Sequence, residues 1–131
     1  MARILVVDDE VLLRKLVRKM LEEVGHQVAE ATNGNEALAM VERTPPDLVI
    51  MDVLMPEREG IETIASLRRA KSAIPILAIS GGGRTRMTEF LTVAEKFGAQ
   101  GSLRKPFDQK ALLDAVQNLL GKAVPPPQNR P

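Results

Sequence analysis

Apolar positions along this chain fall into two alternating patterns. Five short runs are apolar and mostly β-branched: Ile4 to Val7, Gln27 to Ala31, Leu48 to Asp52, Ile76 to Ser80, and Gly101 to Arg104, the last carrying only Leu103 as a strongly apolar residue. Short runs of this kind, bounded by polar or turn-forming residues, read as strands of a buried sheet. Between them the apolar positions recur at helical spacing. Leu13, Leu16, Val17, Met20, Leu21 and Val24 predict a first helix; Ala37, Leu38 and Val41 a second; Ile61, Ile64, Ala65 and Leu67 a third; Phe90, Val93, Ala94 and Phe97 a fourth; Leu112, Ala115, Val116 and Leu119 a fifth. Gly25 and Gly98 follow the first and fourth helices, where a left-handed cap favours glycine. Pro45-Pro46 stops the second, and Asn33 and Asp108 are candidate N-caps of the second and fifth.

A strand–helix alternation repeated five times implies a parallel sheet covered by helices on both faces. Right-handed crossovers leave few topologies. The expected one is a flavodoxin-like (βα)5 three-layer α/β sandwich with strand order 2-1-3-4-5. Residues 1–121 form this domain in our reading, and residues 122–131, Ala-Val-Pro-Pro-Pro-Gln-Asn-Arg-Pro after Lys122, a Pro-rich disordered tail with no further domain after it.

Composition narrows the function classes. The 131 residues carry 18 basic and 17 acidic side chains, so no net field argues for nucleic acid. Phe90, Phe97 and Phe107 are the only aromatics, too few for a base-stacking surface. Without cysteine there are no disulfides, thiolate zinc sites or cysteine nucleophile. No apolar run approaches the ~20 residues of a membrane span. Met1-Ala2-Arg3 runs straight into the first strand without a signal-peptide pattern, so the chain is expected in the cytoplasm.

In a parallel α/β sheet, sites form beyond the carboxyl ends of the strands. Strand 1 ends in Asp8-Asp9-Glu10, strand 3 in Asp52, strand 4 in Ser80, and strand 5 is followed by Lys105-Pro106. Strand 2 is expected at the periphery and need deliver nothing. Clustered carboxylates repel one another unless a cation or a proton sits among them. A hard divalent cation such as Mg2+, with oxygen ligands and a phosphate, resolves this. Lys105 and Ser80 are suited to phosphate oxygens, and one carboxylate is left to attack phosphorus, giving an aspartyl phosphate.

These motifs resemble the receiver domain of two-component response regulators. The resemblance rests on Val6-Val7-Asp8-Asp9-Glu10, Asp52-Val53-Leu54-Met55-Pro56 with Gly60, Ile79-Ser80-Gly81 and Lys105-Pro106-Phe107, and spans residues 3 to about 120. It implies that Asp52 is the phosphoacceptor and that Mg2+ is held by Asp8, Asp9, Asp52 and the backbone carbonyl of Leu54. It further implies that Ser80 moves toward the phosphoryl group, that Gly81 leaves access to Asp52, and that Lys105 pairs with the phosphoryl group ahead of a commonly cis Pro106. The implied donor is a phosphohistidine of a sensor histidine kinase or a histidine phosphotransfer protein. The implied output is a phosphorylation-dependent protein-binding surface or onward relay, from a monomer or weak homodimer that is no turnover enzyme.

The sequence departs from the family pattern at Ser102, where a switching aromatic is usual, and in the longer stretch after Ser80 that begins Gly81-Gly82-Gly83. That loop, rather than a rotating ring, is expected to carry the signal. Leu54 and Gly82 offer no polar group to orient an attacking water, which predicts slow autodephosphorylation. His26, before strand 2, reads as a surface or partly packed residue, and Arg68-Arg69, Lys71, Arg84 and Arg86 as solvated charge. Three other functions stand beside the receiver reading. A phosphorylation-independent adaptor (a pseudo-receiver) fits Ser102. A phosphatase of the haloacid dehalogenase type lacks its second acid, since Leu54 occupies that position. A flavin carrier lacks an aromatic to hold the ring.

Overall fold

Side-chain alternation decides which face of the sheet each strand residue serves. Ile4 and Val6, Leu48 and Ile50, and Leu77 and Ile79 point to one side, where they pack against Val17 and Leu21 of one helix and Leu112, Val116 and Leu119 of another. Leu5 and Val7, Val49 and Met51, and Ile76 and Ala78 point to the other, against Ala37, Val41, Ile61, Ile64 and Leu67. Strands buried on both faces need apolar residues at every position, which is why these runs do not alternate with polar ones.

The computed structural model describes residues 2–53, 59–70, 73–80, 92 and 94–121. The elements are β1 (Arg3–Val7), α1 (Val11–Glu22), β2 (Gln27–Ala31), α2 (Gly34–Arg43), β3 (Leu48–Asp52), α3 (Glu59–Arg69), β4 (Ile76–Ser80), the helical residues 94–97 taken here as α4, β5 (Gly101–Arg104) and α5 (Gln109–Leu120). All neighbouring strands are parallel and lie in the order β2-β1-β3-β4-β5. This is the expected (βα)5 three-layer sandwich.

Local signals act as expected. Asn33 accepts the Glu36 N–H at 2.9 Å and Asp108 the Ala111 N–H at 2.8 Å, capping α2 and α5. Gly25 (φ 97°) and Gly98 (φ 131°) take left-handed backbone conformations that other residues rarely adopt. One detail differs: α1 ends at Glu22, so Val24 lies beyond it and is exposed; Leu16 lies in α1 as its spacing predicts and is 48% exposed. Leu16 borders a groove beside the β5–α5 connection instead of facing the sheet. Among the described residues no helix is long and apolar enough to cross a membrane.

Candidate functional site

The β-ladder continues past the strand ends and fixes the backbone of the polar residues there. Asp8 N–H donates to the Ala31 carbonyl at 3.2 Å, Val53 N–H to Ile79 at 2.9 Å, and Lys105 N–H to Ser80 at 2.8 Å. The central strands β1 and β3 are neighbours, and so are β3 with β4 and β4 with β5. Four segments distant in sequence therefore present Asp8-Asp9, Asp52, Ser80 and Lys105 at one edge of the sheet.

Asp8, Asp9 and Asp52 each offer a carboxylate oxygen, and these lie within 4.8 Å of one another. Asp8 is fully buried and Asp52 is 3% exposed, whereas Asp9 faces solvent. Two buried carboxylates so close are costly without a compensating cation. Lys105 supplies one: its Nζ lies 3.4 Å from Asp8 Oδ2, 3.5 Å from Glu10 Oε1 and 3.7 Å from Asp52 Oδ2. One ammonium shared by three acids leaves negative charge in excess. The donor set is all hard oxygen, so the cluster can coordinate a hard divalent metal.

Ser80 strengthens the fit to an incoming oxyanion. It is fully buried, and among the described residues its Oγ has no hydrogen-bond partner. An unpaired buried hydroxyl is destabilising, and a ligand oxygen at the edge of the sheet would satisfy it. The Lys105–Pro106 peptide is cis. Asp52 is further confined by Gly60, whose α-carbon packs directly on the Asp52 backbone. Leu54, named in the sequence as the carbonyl ligand, and Gly81, Gly82 and Gly83 lie outside the described residues, as does the tail.

β2 lies at the edge of the sheet, as expected, and among the described residues gives none to the acid cluster, but it anchors an ion-pair network with α1. Glu30 of β2 accepts from Arg14 Nε at 2.6 Å, Arg18 Nη1 at 2.8 Å and Lys15 Nζ at 3.0 Å. Burial alone would push the Glu30 carboxyl up, but the hydrogen bonds from Arg18, Arg14 and Lys15 outweigh it and hold it down to about 2. Arg14 also donates from Nη1 to the Asp8 backbone carbonyl at 2.8 Å. A signal for this network was present in the sequence: one acid in the run Val28-Ala29-Glu30-Ala31, and cations at 14, 15 and 18 on a single helix.

The expectation for Arg68 is corrected. It is not solvated charge: its Nε donates to Gly98 O at 3.0 Å, and its Nη2 to Ile74 O at 2.8 Å and Gln100 Oε1 at 2.7 Å. It ties α3 to the α4–β5 turn and the start of β4. His26 is partly packed, as expected; its Nδ1 accepts the Ala2 N–H at 3.1 Å, and burial lowers its pKa. Ser102 pairs with Ala78 in the β4–β5 register and is half-buried. Beside Lys105, a groove of about 370 Å³ lined by Glu10, Leu13, Leu16, Pro106 and Phe107 opens next to the exposed Val11 and Leu12, the latter 85% exposed.

Known proteins are similar to this chain in sequence and in fold. The family model described as the response regulator receiver domain matches residues 4–117. The chain is 36% identical over 118 residues to the chemotaxis protein CheY of Halobacterium salinarum, covering 90% of this chain and 96% of that protein. It is 37% identical over 123 residues to the response regulator MprA of Mycobacterium leprae, covering 94% of this chain but only 53% of that longer protein. Among solved structures, the receiver domain of NtrX from Brucella abortus matches with a TM-score of 0.82 and 32% identity, covering 89% of this chain and 97% of that one.

Proposed function

The chain belongs to the response regulator receiver domain family, and from that premise we propose that it accepts a phosphoryl group onto Asp52 from a phosphohistidine of a sensor histidine kinase or histidine phosphotransfer protein. A receiver of this kind phosphorylates and dephosphorylates its own aspartate instead of turning over a substrate. The observation that carries the assignment to Asp52 is its position. It is the buried carboxylate at the end of the central strand β3, flanked by Asp8 and Asp9 within 4.8 Å on one side and by Lys105 Nζ at 3.7 Å on the other.

In this reading Asp8, Asp9, Asp52 and the Leu54 carbonyl hold Mg2+, which supplies charge neutralisation for the phosphoryl oxygens. An Asp52 carboxylate oxygen attacks phosphorus as the P–N bond to the donor histidine breaks, and the imidazole keeps that electron pair. Lys105 leaves its three acids for a phosphoryl oxygen, because a doubly charged oxyanion outcompetes a shared carboxylate. Ser80 Oγ donates to another oxygen, satisfying the hydroxyl. The exposed Val11, Leu12 and Leu16 of α1, the last lining the groove at Lys105, offer the donor an apolar face. The setting is cytoplasmic, and the output is a partner protein that binds one phosphorylation state, or onward relay.

Ser102 favours a second reading, a pseudo-receiver adaptor that works without phosphorylation, since a serine cannot swing an aromatic ring. Mass spectrometry after acetyl phosphate with Mg2+ separates the two. The phosphoacceptor reading expects an adduct of about 80 Da that disappears in Asp52→Ala. An unmodified wild-type chain, or an adduct that persists in the variant, rejects it. Repeating the measurement with phosphorylated histidine kinases then identifies the donor.

A further inference from the structure

Arg14 is a buried cation that touches neither the acid cluster's carboxylates nor Lys105 in any contact described above, yet it is bonded to the backbone that carries two of those acids. It is 7% exposed. Its Nε donates to Glu30 Oε1 at 2.6 Å and its Nη1 to the Asp8 carbonyl at 2.8 Å. The other Glu30 oxygen is taken by Lys15 and Arg18. Glu30 is therefore held from three directions, and Arg14 is anchored to a fixed point on β2.

Asp8 is pinned at three atoms as a result. Its N–H donates to Ala31 O at 3.2 Å, its carbonyl accepts from Arg14, and its Oδ1 accepts the Glu10 N–H at 2.8 Å. Only Oδ2 is left turned toward Lys105. Arg14 closes the loop through its own backbone, whose N–H donates to Glu10 O at 3.0 Å. The carbonyl that Arg14 holds belongs to the peptide joining Asp8 to Asp9. Its direction fixes ψ of Asp8 and so the course of the chain into Asp9; a change there would shift Asp9 relative to Asp8 and Asp52.

We infer that Arg14 is a positioning residue for the metal-binding acids: its guanidinium, anchored on Glu30, locks the Asp8–Asp9 peptide in the orientation a divalent cation needs. The inference rests on the phosphoacceptor reading and adds to it the group that orders the ligands. Charge alone is not the means, because Arg14→Lys would keep it. Geometry is. A guanidinium is a rigid planar fork able to bond two acceptors in fixed directions, whereas an ammonium is a point charge on a flexible stem. Groups that orient metal ligands from behind commonly set metal affinity, and their loss costs affinity even when every ligand remains.

The test uses Mn2+ alone as the probe, with free ion measured by electron paramagnetic resonance and folding followed by thermal melting. Arg14→Lys keeps the charge and loses the fork; it should weaken Mn2+ binding about tenfold. Glu30→Gln keeps the volume and loosens the anchor; it should weaken binding in the same direction. Lys15→Gln removes one of three Glu30 partners and does not reach Asp8, so it should weaken affinity less than Glu30→Gln. In phosphorylation by acetyl phosphate, the metal concentration for half-maximal rate should rise in Arg14→Lys while the rate at saturating metal holds. A purely structural role would lower the melting temperature without that split. If Arg14→Lys fails to fold, Glu30→Gln against Lys15→Gln decides in the same terms. Wild-type affinity in both Arg14→Lys and Glu30→Gln overturns the inference, as does equal weakening in Lys15→Gln. A wild-type chain that binds no Mn2+ overturns the phosphoacceptor reading along with it, whereas normal wild-type binding and phosphorylation with unaffected variants removes this inference alone.

Discussion

Gly60 packs its α-carbon against the backbone of Asp52 at the first turn of α3. A Cβ there would collide with the Asp52 carbonyl oxygen and lie 2.7 Å from the Val53 Cα and 3.0 Å from the Asp52 carbonyl carbon. Every one of these is a backbone atom, so nothing can rotate aside. The start of α3 and the floor of the acid cluster are one contact.

Gly60→Ala should therefore push α3 away from β3 and cost about 1–3 kcal/mol, the usual range for an inserted methyl in a packed site. Denaturant unfolding measures the loss. The same variant should accept phosphate from acetyl phosphate more slowly than wild type, even where it is fully folded. A stability equal to wild type would show that the helix can give way freely.

Ser80→Ala makes the opposite prediction for stability. The hydroxyl is buried without a partner among the described residues, so removing it should leave stability unchanged or raise it by about 1 kcal/mol. The phosphorylated form should lose one donor to its phosphoryl group. Comparing the melting temperature with and without acetyl phosphate and Mg2+ checks both halves, since the shift on phosphorylation should shrink while the starting value does not fall.

Lys105→Gln removes the ammonium that lies 3.4 to 3.7 Å from Asp8, Glu10 and Asp52. A metal entering the wild-type site meets that positive charge. In the variant it meets three uncompensated acids, so titration with Mn2+ should show tighter binding, several-fold at low salt and less as salt screens the site. Phosphoryl acceptance should fall at the same time, because the partner for a phosphoryl oxygen is gone. Weaker metal binding would contradict the arrangement.

Glu30 sets a pH window. Its folded value of about 2 lies below the ordinary value of 4.5. A depressed carboxylate contributes stability that is fully present above the unfolded pKa and is lost as pH falls through the folded one. Unfolding free energy should therefore drop between roughly pH 5 and pH 2. Glu30→Gln should start lower at neutral pH and fall less steeply across that interval. Denaturation curves at stepped pH, in low and high salt, measure the difference; parallel profiles would assign the loss to other acids.

The elements were readable because each announces itself locally. Five short β-branched runs, helical spacing between them, Asn33 and Asp108 at helix starts and Gly25 and Gly98 after helix ends are all signals within a few residues of where they act. The acid cluster was readable too, because a parallel sheet sends the carboxyl ends of its strands to one edge, and Asp8, Asp9, Asp52, Ser80 and Lys105 sit at those ends. The tether made by Arg68 and the exposure of Leu16 were not legible, for a shared reason. Arg68 finds its acceptors thirty residues away at Gly98 and Gln100. Leu16 obeys the helical period, yet it faces a groove closed on its far side by Pro106 and Phe107. Periodicity tells which face of a helix is apolar and says nothing of what that face meets.

The linear order of residues was enough for the layered parallel sheet and for the chemical character of its edge, since alternation, capping and strand-end chemistry act through neighbours along the chain. The three-cation clamp on Glu30, the hold of Arg14 on the Asp8 carbonyl and the contact of Gly60 with Asp52 were decided only when β2, α1, β3 and α3 came together. Each depends on distances of about 3 Å or less between atoms of different elements, and a hydrogen bond or a steric contact weakens or vanishes within an ångström of misplacement.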